Sequence, residues 1–150
     1  MLALLVPAAL LAGAWGFQLI GGYAPCEMCH WQRWAHYTAL GLAALAFATR
    51  GRVSVSRAFV LLAGAAILVS GGIGVFHAGV EYHWWSGFTR CTAVGLGSGD
   101  PLKALLAAPL IRCDTAAWTL EGISMAGFNA LFSLAGGIAI WALCLTRPAR

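Results

Sequence analysis

The sequence predicts an all-α protein, an integral membrane four-helix bundle formed as one domain over residues 1–150. Hydrophobic residues make up 61% of the chain and charged residues only 9%, whereas a soluble domain carries about 25% charged residues. So few charges cannot cover a water-exposed surface, and the bilayer is therefore the expected solvent. A membrane-spanning helix needs about 20 apolar residues, and the chain contains four such runs with few or no charges.

The first two spans are predicted at 2–20 and 30–49. Residues 2–20 carry no charge, and no basic segment precedes them, which disfavours a cleaved signal peptide. The segment 21–25, Gly-Gly-Tyr-Ala-Pro, is typical of a helix break. An apolar helical pattern resumes soon after it and carries no formal charge between Arg33 and Arg50.

The other two spans are predicted at 58–80 and 122–146, and neither contains a formal charge. A hydrophilic turn at 50–57 carries three arginines, and the tail 147–150 carries two more. The longest segment with polar residues, 81–121, connects the third span to the fourth.

The distribution of charge predicts the orientation in the membrane. With four spans, the turn 50–57 lies on the same side as both termini, and loops 21–29 and 81–121 lie on the other side. All five acidic residues fall in these two loops. The positive-inside rule therefore places the turn and both termini in the cytoplasm, and the two loops in the periplasm of a bacterial inner membrane. The sequence shows no basic face with interleaved aromatic residues, so nucleic-acid binding has no support.

A short interfacial helix is predicted in the second periplasmic loop. Asp100 and Pro101 are typical of an N-cap and a first helical position, and the leucine-rich segment 102–111 follows them. This segment is too short to span the membrane, so its leucines could rest on the membrane surface with Lys103 turned to water. An ordinary loop helix is the alternative.

The pair Cys26 and Cys29 is the main candidate for chemistry. Two thiols at this spacing, at a helix start, are typical of a redox dithiol. Because His30 follows directly, the motif also matches c-type haem attachment, although little soluble structure is available to enclose a porphyrin. A metal site would need a second close pair, and Cys91 and Cys113 are far apart in sequence. We therefore predict a redox dithiol and no metal.

The other outward cysteines have two interpretations. Cys91 and Cys113 lie in one loop and could form a static disulfide that closes it. Alternatively, they form an exchangeable pair that passes electrons to the first pair through mixed disulfides. Cys144 lies deep in the last span and is interpreted as a packing residue.

Arg33 and His77 are the predicted cofactor-binding residues, together with Cys29. Arg33 follows Cys29 by four residues, so both lie on one helix face, where a guanidinium would stabilise a thiolate or donate to a carbonyl. The alternative is an arginine that reaches the lipid headgroups. A histidine inside a span, such as His77, is a functional candidate, although a buried histidine can also simply pack. His83 is a weaker candidate, and His36 is interpreted as helix packing.

Two stretches resemble one protein family. The motif from Cys26 to Arg33, Cys-Glu-Met-Cys-His-Trp-Gln-Arg, resembles the Cys-x-x-Cys-x-x-(Gln/Glu)-Arg motif of the disulfide bond formation protein B (DsbB) family. The stretch from Cys113 through Trp118 to residues 122–134 is similar to that family's later cysteine and last span. With the four spans and the basic turn, the resemblance covers almost the whole chain.

This resemblance implies a membrane thiol:quinone oxidoreductase. Such proteins reoxidise a periplasmic thioredoxin-fold dithiol oxidase of the DsbA type and pass the electrons to a membrane quinone, either ubiquinone or menaquinone. By motif position, Cys91 would form the mixed disulfide with the partner, and Cys113 would exchange with Cys26. Cys29 would face the quinone, and Arg33 would help to hold it.

Some alternatives stay open at this point. The first is a c-type haem electron-transfer protein, and the second is a non-catalytic subunit stapled by two static disulfides. A vitamin K epoxide reductase-like enzyme shares the four-span architecture, but Gln32 and Arg33 fit the DsbB pattern better. Glu27 places an acid between the two thiols, where it should oppose thiolate formation.

Overall fold

Four α-helices dominate the computed structural model, which describes residues 1–87, 92–93 and 110–146. The helices are α1 (Leu2–Leu19), α2 (Glu27–Ala48), α3 (Val53–Glu81) and α4 (Met125–Thr146). Helix α3 packs along both α2 and α4, and α1 packs mainly against α2 and α4. Helices α1, α3 and α4 are each long and apolar enough to cross a membrane. The predicted all-α membrane bundle is therefore confirmed.

Helix α2 is less apolar than the others because its first half carries several polar side chains. Gln32, Arg33 and His36 are nevertheless buried, so other parts of the protein, rather than lipid, surround them. Its membrane crossing beside the other three helices remains a prediction.

The helices differ from the predicted spans mainly at their ends. Helix α3 begins at Val53, inside the predicted turn 50–57, and the Ser56 N–H already donates to the Arg52 carbonyl at 2.9 Å. Arg57 therefore lies within the helix, and its Nη2 donates to the Cys144 carbonyl near the end of α4 at 2.8 Å. A charged residue marks the edge of the apolar run without ending the helix, because its side chain can find a partner.

A β-hairpin leads directly into α4. Strands β3 (Thr119–Leu120) and β4 (Ile123–Ser124) pair antiparallel, and the turn residues Glu121 and Gly122 have φ of 51° and 78°. Two positive φ values match the twist of the flanking strands in a two-residue turn. The Tyr82 hydroxyl donates to the turn carbonyl at 2.8 Å and accepts from a β4 N–H at 2.9 Å. The end of α3 is thereby fixed to the hairpin.

Strands β1 (Thr92–Ala93) and β2 (Leu110–Ile111) bring the second loop back to the bundle. They pair antiparallel, and Cys113 follows β2 by two residues. The predicted interfacial helix extended to Ile111, which was wrong for its last two residues because they pair as a strand with β1. The rest of that prediction, 100–109, lies outside the described residues.

Close packing joins α3 to α4. A Cβ atom added at Gly74 would lie 3.0 Å from both the Ala126 carbonyl oxygen and the Ala130 nitrogen. Small residues allow helix backbones to approach in this way in a membrane. The approach places Asn129 of α4 against α3, beside the polar groups described below.

Two hydrophobic clusters occupy different ends of the bundle. We call them the alanine cluster and the thiol cluster. The alanine cluster contains Ala3, Ala39, Ala43, Ala63, Ile67 and Ile140. The thiol cluster contains Cys26, Met28, Val80 and Cys113.

Candidate functional site

The dithiol lies at the start of α2. Cys26 is the N-cap residue in extended conformation, and its Sγ accepts from the Cys29 N–H at 3.4 Å. The helix begins here because the segment 21–25 cannot continue α1 as a helix. Cys26 and Cys29 are free thiols, with their Sγ atoms 2.9 Å apart. One turn of helix therefore brings the two sulfurs of the predicted pair together.

Cys113 comes to the same place from the second loop. It is buried within the thiol cluster together with Cys26. Hydrogen bonds with Cys113 and then with Cys29, together with burial, raise the pKa of the Cys26 thiol. The Cys26 sulfur thus has a thiol neighbour from its own helix and another from a distant loop.

His77 and Glu81 of α3 approach the dithiol from the side. His77 Nε2 lies 3.5 Å from Cys26 Sγ and 3.6 Å from Glu81 Oε1. The other ring nitrogen, Nδ1, lies 3.0 Å from Gln32 Nε2. His77 is only 2% exposed, so these contacts are made out of water.

A polar layer lies beneath the dithiol, between the two hydrophobic clusters. Asn129 Nδ2 donates to Gln32 Oε1 at 2.7 Å and to the Ser70 carbonyl at 3.2 Å. Asn129 Oδ1 accepts from His36 Nε2 at 2.9 Å and from the Ser133 hydroxyl at 3.1 Å. These side chains come from α2, α3 and α4, so the layer connects three helices through one asparagine.

Arg33 is buried and held by α1. Its Nη1 donates to Gln18 Oε1 at 2.5 Å, and its Nη2 donates to the Ala14 carbonyl at 3.0 Å. The guanidinium carbon lies 5.3 Å from the centroid of the Trp15 ring. The charge therefore faces the bundle instead of the lipid headgroups.

A cavity of about 360 Å³ opens beside these groups. Apolar side chains of α1 and α4 form much of its wall, and its polar lining includes Cys29, Arg33, His36, His77, Glu81 and Asn129. Two buried atoms on this lining, His36 Nδ1 and Glu81 Oε2, have no hydrogen-bond partner in the part of the chain that the structure describes. An apolar pocket with a few convergent polar groups is typical of a small-molecule site.

An exposed ion pair lies next to Cys113. Arg112 donates to both carboxylate oxygens of Asp114, at 2.7 Å and 2.5 Å. The guanidinium lowers the pKa of Asp114 to about 2. This pair borders the thiol cluster on its solvent side.

The cluster also has some features of a metal site. The ligand atoms of Cys26, His77 and Cys113 all lie within 4.8 Å of one another. A metal-bound histidine usually donates its other N–H to an acceptor, yet Gln32 presents a nitrogen to His77 at this position. The hydrogen bonding therefore does not favour His77 as a ligand.

The structure brings together several of the predicted site residues. Cys26, Cys29, Cys113 and His77 form one cluster, and Arg33 lines the adjoining cavity. Cys91 lies outside the described residues. His83 is exposed at the end of α3.

Sequence reasoning missed most of the polar layer. His36, interpreted as a packing residue, bonds Asn129 and Ser70 and lines the cavity. The available signal was the spacing of Gln32 and His36, and of Asn129 and Ser133, each four residues apart in otherwise apolar helices. Such spacing places two polar groups on one helix face.

A dithiol with one buried sulfur, a third thiol from a distant loop and a cavity inside a membrane bundle are typical of a membrane thiol oxidoreductase. The model of the family described as Disulfide bond formation protein DsbB matches residues 1–144. The chain therefore belongs to the DsbB family of membrane proteins for disulfide-bond formation. No curated protein and no solved structure matched the chain.

Proposed function

We propose that the protein reoxidises a periplasmic thioredoxin-fold oxidase of the DsbA type and passes the electrons to a membrane quinone. The observation that carries this proposal is the position of the Cys26 sulfur. It lies 2.9 Å from Cys29 Sγ and is hydrogen-bonded to Cys113. A sulfur with a thiol neighbour on either side can exchange its disulfide partner without a large movement of the backbone.

The exchange has a defined order in this proposal. The partner's thiolate attacks Cys91 and releases Cys113 as a thiolate. Cys113 then attacks Cys26 in a Cys26–Cys29 disulfide, the bond between Cys26 and Cys29 breaks, and Cys29 leaves with the electron pair. The partner's second thiolate attacks the partner's own sulfur in the mixed disulfide, which oxidises the partner and releases Cys91 as a thiolate. Cys91 then attacks Cys113 and releases Cys26, so the first pair ends reduced and the second ends oxidised.

The cavity fits a quinone headgroup. A volume of about 360 Å³ lies within the range of small-molecule pockets, and the wall is mostly apolar with polar atoms at a few points. When bound, a quinone supplies two-electron acceptance. Cys29 lines this cavity, so its thiolate would lie next to a bound quinone. Arg33 would donate guanidinium N–H groups to a carbonyl oxygen of the quinone.

The orientation is part of the same proposal. The arginine-rich turn and both termini lie in the cytoplasm, and the dithiol and second loop face the periplasm of the bacterial inner membrane. A periplasmic partner then reaches Cys91 in the loop, while the cavity between α1, α2 and α4 lies close to the quinone pool.

Covalent haem is disfavoured by the geometry. Attachment would require both sulfurs of the dithiol to form thioethers with a porphyrin. Cys26 is only 4% exposed and packs against Cys113 and His77, which disfavours a thioether to a porphyrin at this sulfur.

A quinone-reduction assay tests the proposal. The purified protein in detergent would be mixed anaerobically with a reduced DsbA-type protein and either a ubiquinone or a menaquinone analogue. We expect quinone reduction with one oxidised partner formed per quinone reduced, and Cys144→Ser should leave the rate unchanged. If the partner's thiols stay reduced and all the disulfides stay closed, the chain is a stapled subunit and the proposal fails.

A further inference from the structure

The orientation of the His77 ring can be derived from its neighbours. Gln32 Nε2 donates to the Met28 carbonyl at 3.2 Å, and Asn129 Nδ2 donates to the Ser70 carbonyl at 3.2 Å. A backbone carbonyl can only accept, so both amide groups are fixed with their nitrogens at these positions. The Asn129 nitrogen also donates to Gln32 Oε1, which agrees with this assignment.

The tautomer of His77 follows from this chain of amides. Gln32 Nε2 has a second hydrogen, and it lies 3.0 Å from His77 Nδ1. Nδ1 must therefore accept, and in the neutral ring the proton is on Nε2. Nε2 lies 3.5 Å from Cys26 Sγ and 3.6 Å from Glu81 Oε1, and the Cys113 backbone also hydrogen-bonds to the ring.

We propose that His77 is a catalytic hydrogen-bond donor to the Cys26 sulfur, and that Gln32 and Asn129 are positioning residues that hold its ring. This inference rests on the proposed thiol exchange. When Cys91 attacks Cys113, the bond between Cys113 and Cys26 breaks, and Cys26 leaves with the electron pair. The His77 N–H stabilises this charge and keeps its proton throughout.

The surroundings of Cys26 favour such a donor, which would add to the Cys29 N–H that already donates to the sulfur at 3.4 Å. The Cys26 sulfur is buried, and burial of an unpaired charge is costly. A hydrogen bond to a charged sulfur is stronger than one between neutral groups. Glu81 Oε1 lies 3.6 Å from the same Nε2, and the Cys113 backbone hydrogen-bonds to the His77 ring, so the ring has other polar neighbours before the charge forms.

Two substitutions of His77 distinguish the effect of its Nε2–H donor from the effect of removing the imidazole ring. The amide nitrogen of glutamine can reach the position of Nε2, whereas the shorter asparagine side chain ends near Nδ1. We expect His77→Asn to slow the release of Cys26 by about 10- to 100-fold, and His77→Gln to restore most of the rate. His83→Asn, at an exposed position beyond α3, is the matched control and should exchange like the unmodified protein.

The measurement is a single-turnover exchange in detergent without quinone. Oxidised protein is mixed with one equivalent of reduced DsbA-type partner, quenched with an alkylating reagent, and the thiols of the Cys26–Cys29 pair are followed with time. If the unmodified protein does not exchange, the proposed function fails. If it exchanges but His77→Asn is equally fast, or His77→Gln is as slow as His77→Asn, the role of His77 is overturned.

The positioning role of Gln32 has its own test, which also applies if His77→Asn does not fold. Gln32→Met removes the donor to Nδ1 and should slow exchange several-fold in the unmodified background. In the His77→Gln background Nδ1 no longer exists, so the same substitution should have little further effect. Equal slowing in both backgrounds would show that Gln32 does not act through His77.

Discussion

The two ends of the helix bundle are packed in different ways. The alanine cluster contains only apolar side chains, four alanines and two isoleucines, and Ile67 is fully buried among them. The thiol cluster, by contrast, contains two cysteines and adjoins a buried histidine, a glutamate and the cavity. One end therefore holds the helices together, and the other end holds reactive groups at short distances.

The polar layer separates these two regions. It connects α2, α3 and α4 through hydrogen bonds. On the side of the thiol cluster, its Gln32 side chain contacts His77. Changes at the alanine cluster should therefore affect stability with little effect on thiol exchange, and changes at the thiol cluster should do the reverse. The following experiments test this difference, beginning with the largest expected effect.

Cys29→Ser should abolish electron transfer from the dithiol. A hydroxyl cannot form the disulfide, so the rate of quinone reduction should fall by about three orders of magnitude or more. Cys91 should still trap the partner as a mixed disulfide, which a non-reducing gel would detect. Cys144→Ser is the control at the opposite end of the bundle, and turnover by Cys29→Ser would contradict the assigned order.

Ile67→Ala should act on stability alone. Its side chain is 0% exposed within the alanine cluster, and truncation of a buried isoleucine costs about 2–5 kcal/mol. Unfolding in detergent, followed by circular dichroism, would measure the loss, while exchange per folded molecule should not change. Leu62→Ala on the same helix, at an exposed position, should cost far less. Equal losses at the two positions would contradict the assignment of a packed core.

Arg33→Ala should weaken the binding of quinone. Loss of a charged donor in a buried cavity should raise the apparent KM for quinone about tenfold, with a smaller effect on kcat. Arg33→Lys keeps the charge but loses the planar arrangement of donors, and it should give an intermediate KM. An unchanged KM in both variants would leave Arg33 with only its contacts to α1.

Asp114→Asn should have the smallest effect of these substitutions, a slight loss of stability. The pKa of Asp114 is about 2 in the folded protein, below its usual value of 3.8, because the Arg112 guanidinium binds the carboxylate, so the ion pair stabilises the fold above pH 3.8. This contribution is lost as the pH falls toward 2. The melting temperatures of the two proteins should therefore differ slightly and constantly from pH 5 to 8 and converge near pH 2. A difference that persists at pH 2 would show that the exposed pair is not its source.

The sequence predicts the helices and the proximity of Cys26 to Cys29 for a physical reason. Uncharged runs report lipid exposure directly, and the spacing of Cys26 and Cys29 is a local relation within one helix turn. The approach of Cys113 to Cys26 could be inferred only by resemblance, because it depends on how a loop folds back over the bundle. The contact of Gln32 with His77 joins α2 to α3, and no local pattern predicts which polar groups of two helices will meet.

The hydrogen bonds of Arg33 have a consequence for how the protein is made. A lone arginine inside an apolar segment opposes insertion of that segment into the bilayer. Arg33 donates to Gln18 and to the Ala14 carbonyl, both on α1, which is synthesised just before α2. We therefore expect α1 to stay at the translocation channel until α2 is synthesised. The two helices should then enter the lipid together as a helical hairpin, with the Arg33 guanidinium already hydrogen-bonded to α1.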